Sequence, residues 1–222
     1  MTEIMKKLAD QLLEGGIPLK AKEDAEAFPV YPTHSVYKAV QRIHERTQEP
    51  FAYLEFGTWL GDSALVAATA SDRCTVICVD TWLGSAEHWI HFPGFWGRKA
   101  LNLIHGMPTL YERFRDNVQQ FKEADKILPL RMSVQTSAHI FTCHLFDRVP
   151  IKVILVDAAH DKESVIHDLR CAEAILKRRG GGLIIGHDWP WDSVKEAVKE
   201  VFGTDTPELD EGEIYFMHEV VV

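Results

Sequence analysis

The stretch "ILVDAAHD" (154–161) passes from three branched apolar residues directly into Asp157, His160 and Asp161. A later run, "GGLIIGHDWPW", ends the same way and delivers His187 and Asp188. Carboxylates and imidazoles placed like this can bind a divalent cation, take a proton near neutral pH, or cap a following helix. Residue types alone leave these open for Asp157 and His160. Asp161 reads as the cap of a helix over 162–178, with Glu163 in its first turn. His187 and Asp188 are harder to explain as structure, because their strand end faces the same cleft. His88 and His91 in "EHWIHF" have ligand-like spacing in a loop and read as candidate substrate contacts.

The elements that must position these groups follow from apolar periodicity. "FAYLEFG", "CTVICVD", "KILPLRMS", "IKVILVD" and "GGLIIGHD" read as strands, and "EIYFMHEVVV" as a terminal strand. Helices are expected at about 62–71, 109–123, 136–146, 162–178 and 191–202, alternating with the strands. Five apolar runs alternating with helices predict an α/β fold: a Rossmann-like, doubly wound, mainly parallel sheet with helices on both faces. Two further helices, in "MTEIMKKLADQLLEGG" and over 35–47, form an N-terminal extension of residues 1–50 before a domain of residues 51–222. That extension could cover the sheet edge or pair two subunits into a homo-oligomer. The 81–108 segment, rich in aromatics and glycine, is too long for an ordinary connection. It reads as a lid or substrate loop, with Phe92, Phe95 and Trp96 closing over the ligands. All six tryptophans (Trp59, Trp82, Trp89, Trp96, Trp189, Trp191) fall in loops on the same predicted edge. Two or three are expected to seal the core and the rest to line a cavity.

The 222 residues are 46% hydrophobic and 26% charged, ordinary for a globular protein, with 33 acidic against 24 basic side chains. The net charge of −9 argues against a broad nucleic-acid footprint. Lys177, Arg178 and Arg179 read as a solvated helix end that complements the helix dipole. The start holds no apolar stretch long enough for a signal peptide or a membrane span. Four cysteines without CxxC spacing suggest a reducing compartment, the cytoplasm, with Cys74 and Cys78 as small buried residues.

Gly57-x-x-x-Gly61 closes the first strand, and the helix N-terminus at Asp62-Ser63 can accept a carboxylate. About twenty residues later Asp80 ends the second strand, where an acid can take a ribose hydroxyl pair. The combination fits an adenosine-containing ligand. The lack of GxGxxG argues against NAD, and the lack of GxxxxGK[ST] against an ATPase.

At this point the sequence resembles the class I S-adenosylmethionine-dependent methyltransferases. The closer likeness is to the small-molecule O-methyltransferase branch related to macrocin O-methyltransferase and the cephalosporin-hydroxylase-like proteins. The carrying stretches are "YLEFGTWLGDSAL", "VDTWLGSAEHW", "PTLYERFRDNV", "ILVDAAHDKESVIHDL" and "GGGLIIGHDWPWDSVKEAV", in family order over roughly residues 50–202. The resemblance implies S-adenosyl-L-methionine as methyl donor and a hydroxyl of a small molecule as acceptor. The alternatives are transfer to nitrogen, sulfur or a protein side chain, or a non-catalytic donor-binding module. By the same resemblance Glu55, Gly57 and Gly61 hold the amino-acid part of the donor, with Thr58 and Ser63 beside them. Asp80 binds the ribose next to Thr81 and Trp82, and Ser133 and Gln135 contact adenine. A divalent cation, Mg²⁺ or Mn²⁺, would sit on Asp157, His187 and Asp188, with His160 as base; His160 and His187 acting without metal is the alternative. An imidazole where a carboxylate is usual counts against Mg²⁺ and leaves Mn²⁺, Fe²⁺ or Zn²⁺ open.

Overall fold

In the computed structural model, residues 3–16, 19–90, 97–147, 149–204, 207–210 and 212–222 are described. The strands are β1 (Phe51–Phe56), β2 (Cys74–Asp80), β3 (Ile127–Arg131), β4 (Ile151–Val156), β5 (Gly182–Gly186), β6 (Glu208–Leu209) and β7 (Phe216–Val220). They form one sheet in the order β3-β2-β1-β4-β5-β7-β6. The pairs from β3 to β5 are parallel, and β7 runs antiparallel to both β5 and β6. All six residues of β1 are buried, as expected of a parallel strand covered on both faces. The doubly wound, mainly parallel sheet expected from the sequence is present. The single terminal strand becomes an antiparallel pair, because the two-residue β6 carries too short a signal to read.

Alternation along β1 divides the core. Ala52, Leu54 and Phe56 join one cluster, and Phe51 and Tyr53 the other. The first cluster is covered by α1 (Glu3–Leu12), α7 (Val134–Thr142), α8 (Lys162–Arg178) and α9 (Asp192–Phe202). The second is covered by α2 (Ser35–Arg46), α3 (Asp62–Ala70) and α6 (Leu110–Val118). Met5 and Leu8 of α1 are buried in the same cluster as Leu54 and Ile154, so this helix is part of the main wall. Within 81–108 lie α4 (Ala86–Ile90) and α5 (Arg98–Leu101). His91, Phe92, Phe95 and Trp96, expected in the lid, lie outside the described residues.

All four cysteines are free, with Cys74 and Cys78 buried. Among the described residues no helix is long and apolar enough to cross a membrane.

Candidate active site

Between β1 and β4 the connections change sides of the sheet, which opens a crevice at the carboxyl ends of the strands. A cavity of about 810 Å³ lies there, within the usual range for small-molecule sites. Gly57, Asp80, Thr81, Ser133, Gln135, Asp157, His160, His187 and Asp188 all line it. Glu55, Thr58, Gly61, Ser63 and Trp82 do not; they sit behind its wall.

The residues behind the wall have visible structural work. Glu55 is fully buried on β1, accepting a hydrogen bond from Tyr53 Oη at 2.7 Å and from Ser63 Oγ at 3.0 Å. Burial pushes its carboxyl up to about 8. Gly61 (φ +94°) begins α3, where a Cβ would come within 2.7 Å of Val118 Cγ2 and 3.0 Å of the Phe114 ring. It is a packing glycine against α6. Trp82 is fully buried and donates through Nε1 to Trp59 O at 2.9 Å. Thr58 is buried as well.

Two cavity residues are also anchors. Asp80 accepts three backbone N–H groups, from Thr58 (2.9 Å) and Trp59 (3.0 Å) on Oδ2 and from Trp82 (2.6 Å) on Oδ1. Those bonds aim the carboxylate, occupying Oδ2 twice and leaving a further lone pair on Oδ1. Ser133 caps α7 by accepting from Thr136 N at 3.1 Å. Gly57, at φ +84°, marks where β1 crosses β4: a Cβ there would sit 2.1 Å from Asp157 O and 2.6 Å from Ala158 Cα. The close approach that requires glycine is therefore to the Asp157 backbone.

The ends of β4 and β5 bring four ionisable groups into contact. His160 Nε2 lies 3.0 Å from Asp188 Oδ2. His187 Nδ1 lies 3.0 Å from the same oxygen and 3.4 Å from Asp157 Oδ1. Burial lowers the His187 pKa, but Asp157 and Asp188 outweigh it and push the imidazole up to about 10. Burial acts likewise on His160, and Asp188 again reverses it upward. Against burial, His160 and His187 hold Asp188 well below the usual carboxylate range. Burial raises Asp157, opposed by His187. His187 is thus set as the charge partner of Asp157 and Asp188.

The group with metal-site spacing is Asp157, His160 and Asp188, whose donor atoms lie within 4.8 Å of one another. This trio takes His160 where the sequence suggested His187. His187 touches both carboxylates through Nδ1 but falls outside that trio, and Asp188 itself turns in a left-handed conformation (φ +59°). His187 instead packs its ring on Tyr215, with centroids 4.6 Å apart. Asp161 caps α8, accepting from Ser164 N at 3.0 Å.

Of the tryptophans, Trp59 lines the cavity and stacks on His88 with centroids 4.7 Å apart. Trp191 packs on His160 at 5.0 Å. Trp82 and Trp189 are buried as core, and Trp89 stays partly exposed. Cavity residues not foreseen include Glu87 on α4 and Ser164, His167 and Asp168 on α8. The last three share one helix face by their i, i+3 and i+4 spacing, the signal that could have found them.

The strand order, the crevice and the acids at its strand ends define a class I methyltransferase architecture. A family model described as a methyltransferase domain matches residues 54–189, and the chain belongs to that family. The fold is shared with the O-methyltransferase from Bacillus cereus solved in complex with SAH: 17% identity, 100% of this chain and 92% of the other, TM-score 0.54. It is shared equally with the O-methyltransferase NovP, at 18% identity, 99% and 97% coverage and TM-score 0.54. TomG from Streptomyces achromogenes, an O-methyltransferase involved in tomaymycin synthesis and solved with SAM, matches at 13% identity, 100% and 91% coverage and TM-score 0.53. No curated protein matches the chain.

Proposed function

We propose that this chain transfers a methyl group from S-adenosyl-L-methionine to a hydroxyl of a small-molecule acceptor. The observation that carries the reading is one cavity bounded by Asp80 at the end of β2 and by Asp157, His160 and Asp188 beyond β4 and β5. A pre-aimed Asp80 with a lone pair left on Oδ1 suits a ribose hydroxyl. Ser133 and Gln135 line the adjoining wall, where adenine would lie. Gly57 and Thr81 line the stretch between them, while Glu55, Thr58, Gly61, Ser63 and Trp82 act from behind by holding the loops. The negative net charge favours a small molecule over a nucleic acid as acceptor, and four free thiols suit a cytoplasmic setting.

The transfer forms the acceptor O–CH₃ bond as the donor S–CH₃ bond breaks, with the electron pair passing to sulfur and the hydroxyl proton leaving to solvent. Alignment of the two reactants is the main task, and approximation supplies about 7–11 kcal/mol in favourable cases. Asp157, His160 and Asp188 fit a divalent cation through two carboxylates and one imidazole, a mixed set that favours Mn²⁺, Fe²⁺ or Zn²⁺ over Mg²⁺. Such an ion would supply Lewis acidity, lowering the pKa of an acceptor hydroxyl. His187, in contact with both carboxylates through Nδ1, would orient them.

Calorimetry with S-adenosylhomocysteine tests the donor site, and transfer of a labelled methyl group to hydroxyl compounds tests the reaction. Binding with Asp80→Ala at least about tenfold weaker is expected. Lack of any binding by the wild type would overturn the reading.

A further inference from the structure

We propose that the acceptor is a neutral or positively charged hydroxyl compound that donates a hydrogen bond to Glu87, and that carboxylated and phosphorylated compounds are rejected. This rests on the methyl-transfer reading and adds the substrate class to it. The described wall of the cavity carries seven carboxyl groups, Glu87 from the insert and the others from strand ends and α8. It carries four imidazoles and, among the described residues, no lysine or arginine. Arg98 and Lys99 belong to the same insert as Glu87 but stay out of the wall. Charge compensation at the strand ends, whether by two protonated imidazoles or by a divalent ion, still leaves carboxylates in excess. An anionic acceptor would enter that field with no lysine or arginine to receive it.

Glu87 marks where the acceptor is held. Its side chain is 13% exposed, and Oε1 lies 3.7 Å from His160 Nδ1. The Glu87 carboxylate therefore borders the Asp157–His160–Asp188 group of the cavity. Its other oxygen, Oε2, is shut off from solvent and has no hydrogen-bond partner among the described residues. The Glu87 carboxylate lines the cavity, where an O–H or N–H group of a ligand can pair with it and an anion cannot. The helix presenting Glu87 is held in place: its neighbour His88 is buried, stacks on Trp59 and bonds through Nδ1 to Ser85. The carboxylate is thus preset by contacts that do not involve a ligand, the arrangement expected of a specificity residue.

The test uses full-length protein, labelled S-adenosylmethionine and two matched probe series that vary one substituent. One series is methyl glucoside, its 2-amino analogue and its glucuronide. The other is catechol, dopamine and dihydroxybenzoate. Expected is turnover of neutral and amine members in at least one series, with the carboxylate at least about tenfold lower in kcat/KM. Glu87→Gln should raise the acceptor KM about tenfold, with kcat changed less, and narrow the discrimination between members. It should leave S-adenosylhomocysteine affinity within about twofold, and Glu87→Asp should recover part of the loss. Equal or better use of the carboxylates, an unchanged acceptor KM in Glu87→Gln, or no turnover of any member by a donor-binding protein overturns this proposal alone. Failure of the wild type to bind S-adenosylhomocysteine overturns the methyl-transfer reading beneath it.

Discussion

Gly57→Ala is the sharpest perturbation of the junction between β1 and β4. Two costs separate cleanly there. The first is backbone conformation: φ is +84°, and a side chain in that region costs about 1–2 kcal/mol. The second is collision. The new Cβ would lie 2.1 Å from Asp157 O and 2.6 Å from Asp157 C and Ala158 Cα, all backbone atoms that no rotamer change can move. Overpacking of this kind costs typically about 1–3 kcal/mol more. Gly203→Ala supplies the control, since Gly203 has a similar φ of +69° and a Cβ there would meet nothing within 4 Å. Urea unfolding of both variants should therefore differ by about 1–3 kcal/mol. Thermal midpoints should differ by about 2–12 °C, at roughly 2–4 °C per kcal/mol for this size. Because the displaced atoms belong to Asp157 and Ala158, Gly57→Ala should also weaken divalent-ion and donor binding, which Gly203→Ala should leave alone. Equal stability losses in the two variants would refute the collision argument.

Three further outcomes are expected. Glu55 is protonated when folded up to about pH 8 but ionises near its ordinary value when unfolded, so the folded state binds the extra proton and stability falls as pH rises through that window. Glu55→Gln mimics the protonated acid and should gain stability relative to wild type between pH 5 and pH 8, by at least about 1 kcal/mol; parallel stability curves would count against it. Leu8→Ala in α1 should cost about 2–5 kcal/mol in chemical unfolding, since Leu8 is fully buried against the sheet; a change below about 0.5 kcal/mol would mean that α1 is not docked. Excess chelator should abolish most methyl transfer, with Mn²⁺ restoring more of it than Mg²⁺, and Asp188→Asn should lower ion affinity at least about tenfold by equilibrium dialysis. Full activity in chelator would remove the cation from the mechanism.

How far the sequence reaches depends on how local the cause is. The five parallel strands are legible because burial on both faces makes each an unbroken apolar run, as in "KVILV" and "GLIIG". Asp161 is legible as a cap for the same reason, since its partner Ser164 N is three residues away. Gly57 is recognisable as a glycine that matters, but the atom that forbids a side chain there belongs to Asp157, just past the end of β4 and far along the chain. The choice between His160 and His187 turns on contacts far apart in the chain: His160 meets Asp188 and Glu87, whereas His187 packs its ring on Tyr215. Glu87 lies within the stretches "VDTWLGSAEHW" and "EHWIHF", but its own type and spacing do not single it out: a short helix places its carboxylate beside an imidazole from another part of the fold. Residue type and strand end are therefore written locally, whereas the division of labour among the ionisable groups is written in the packing. The same division explains why Asp80 could be singled out from spacing, while Glu87 emerges only when α4 is seen lining the crevice.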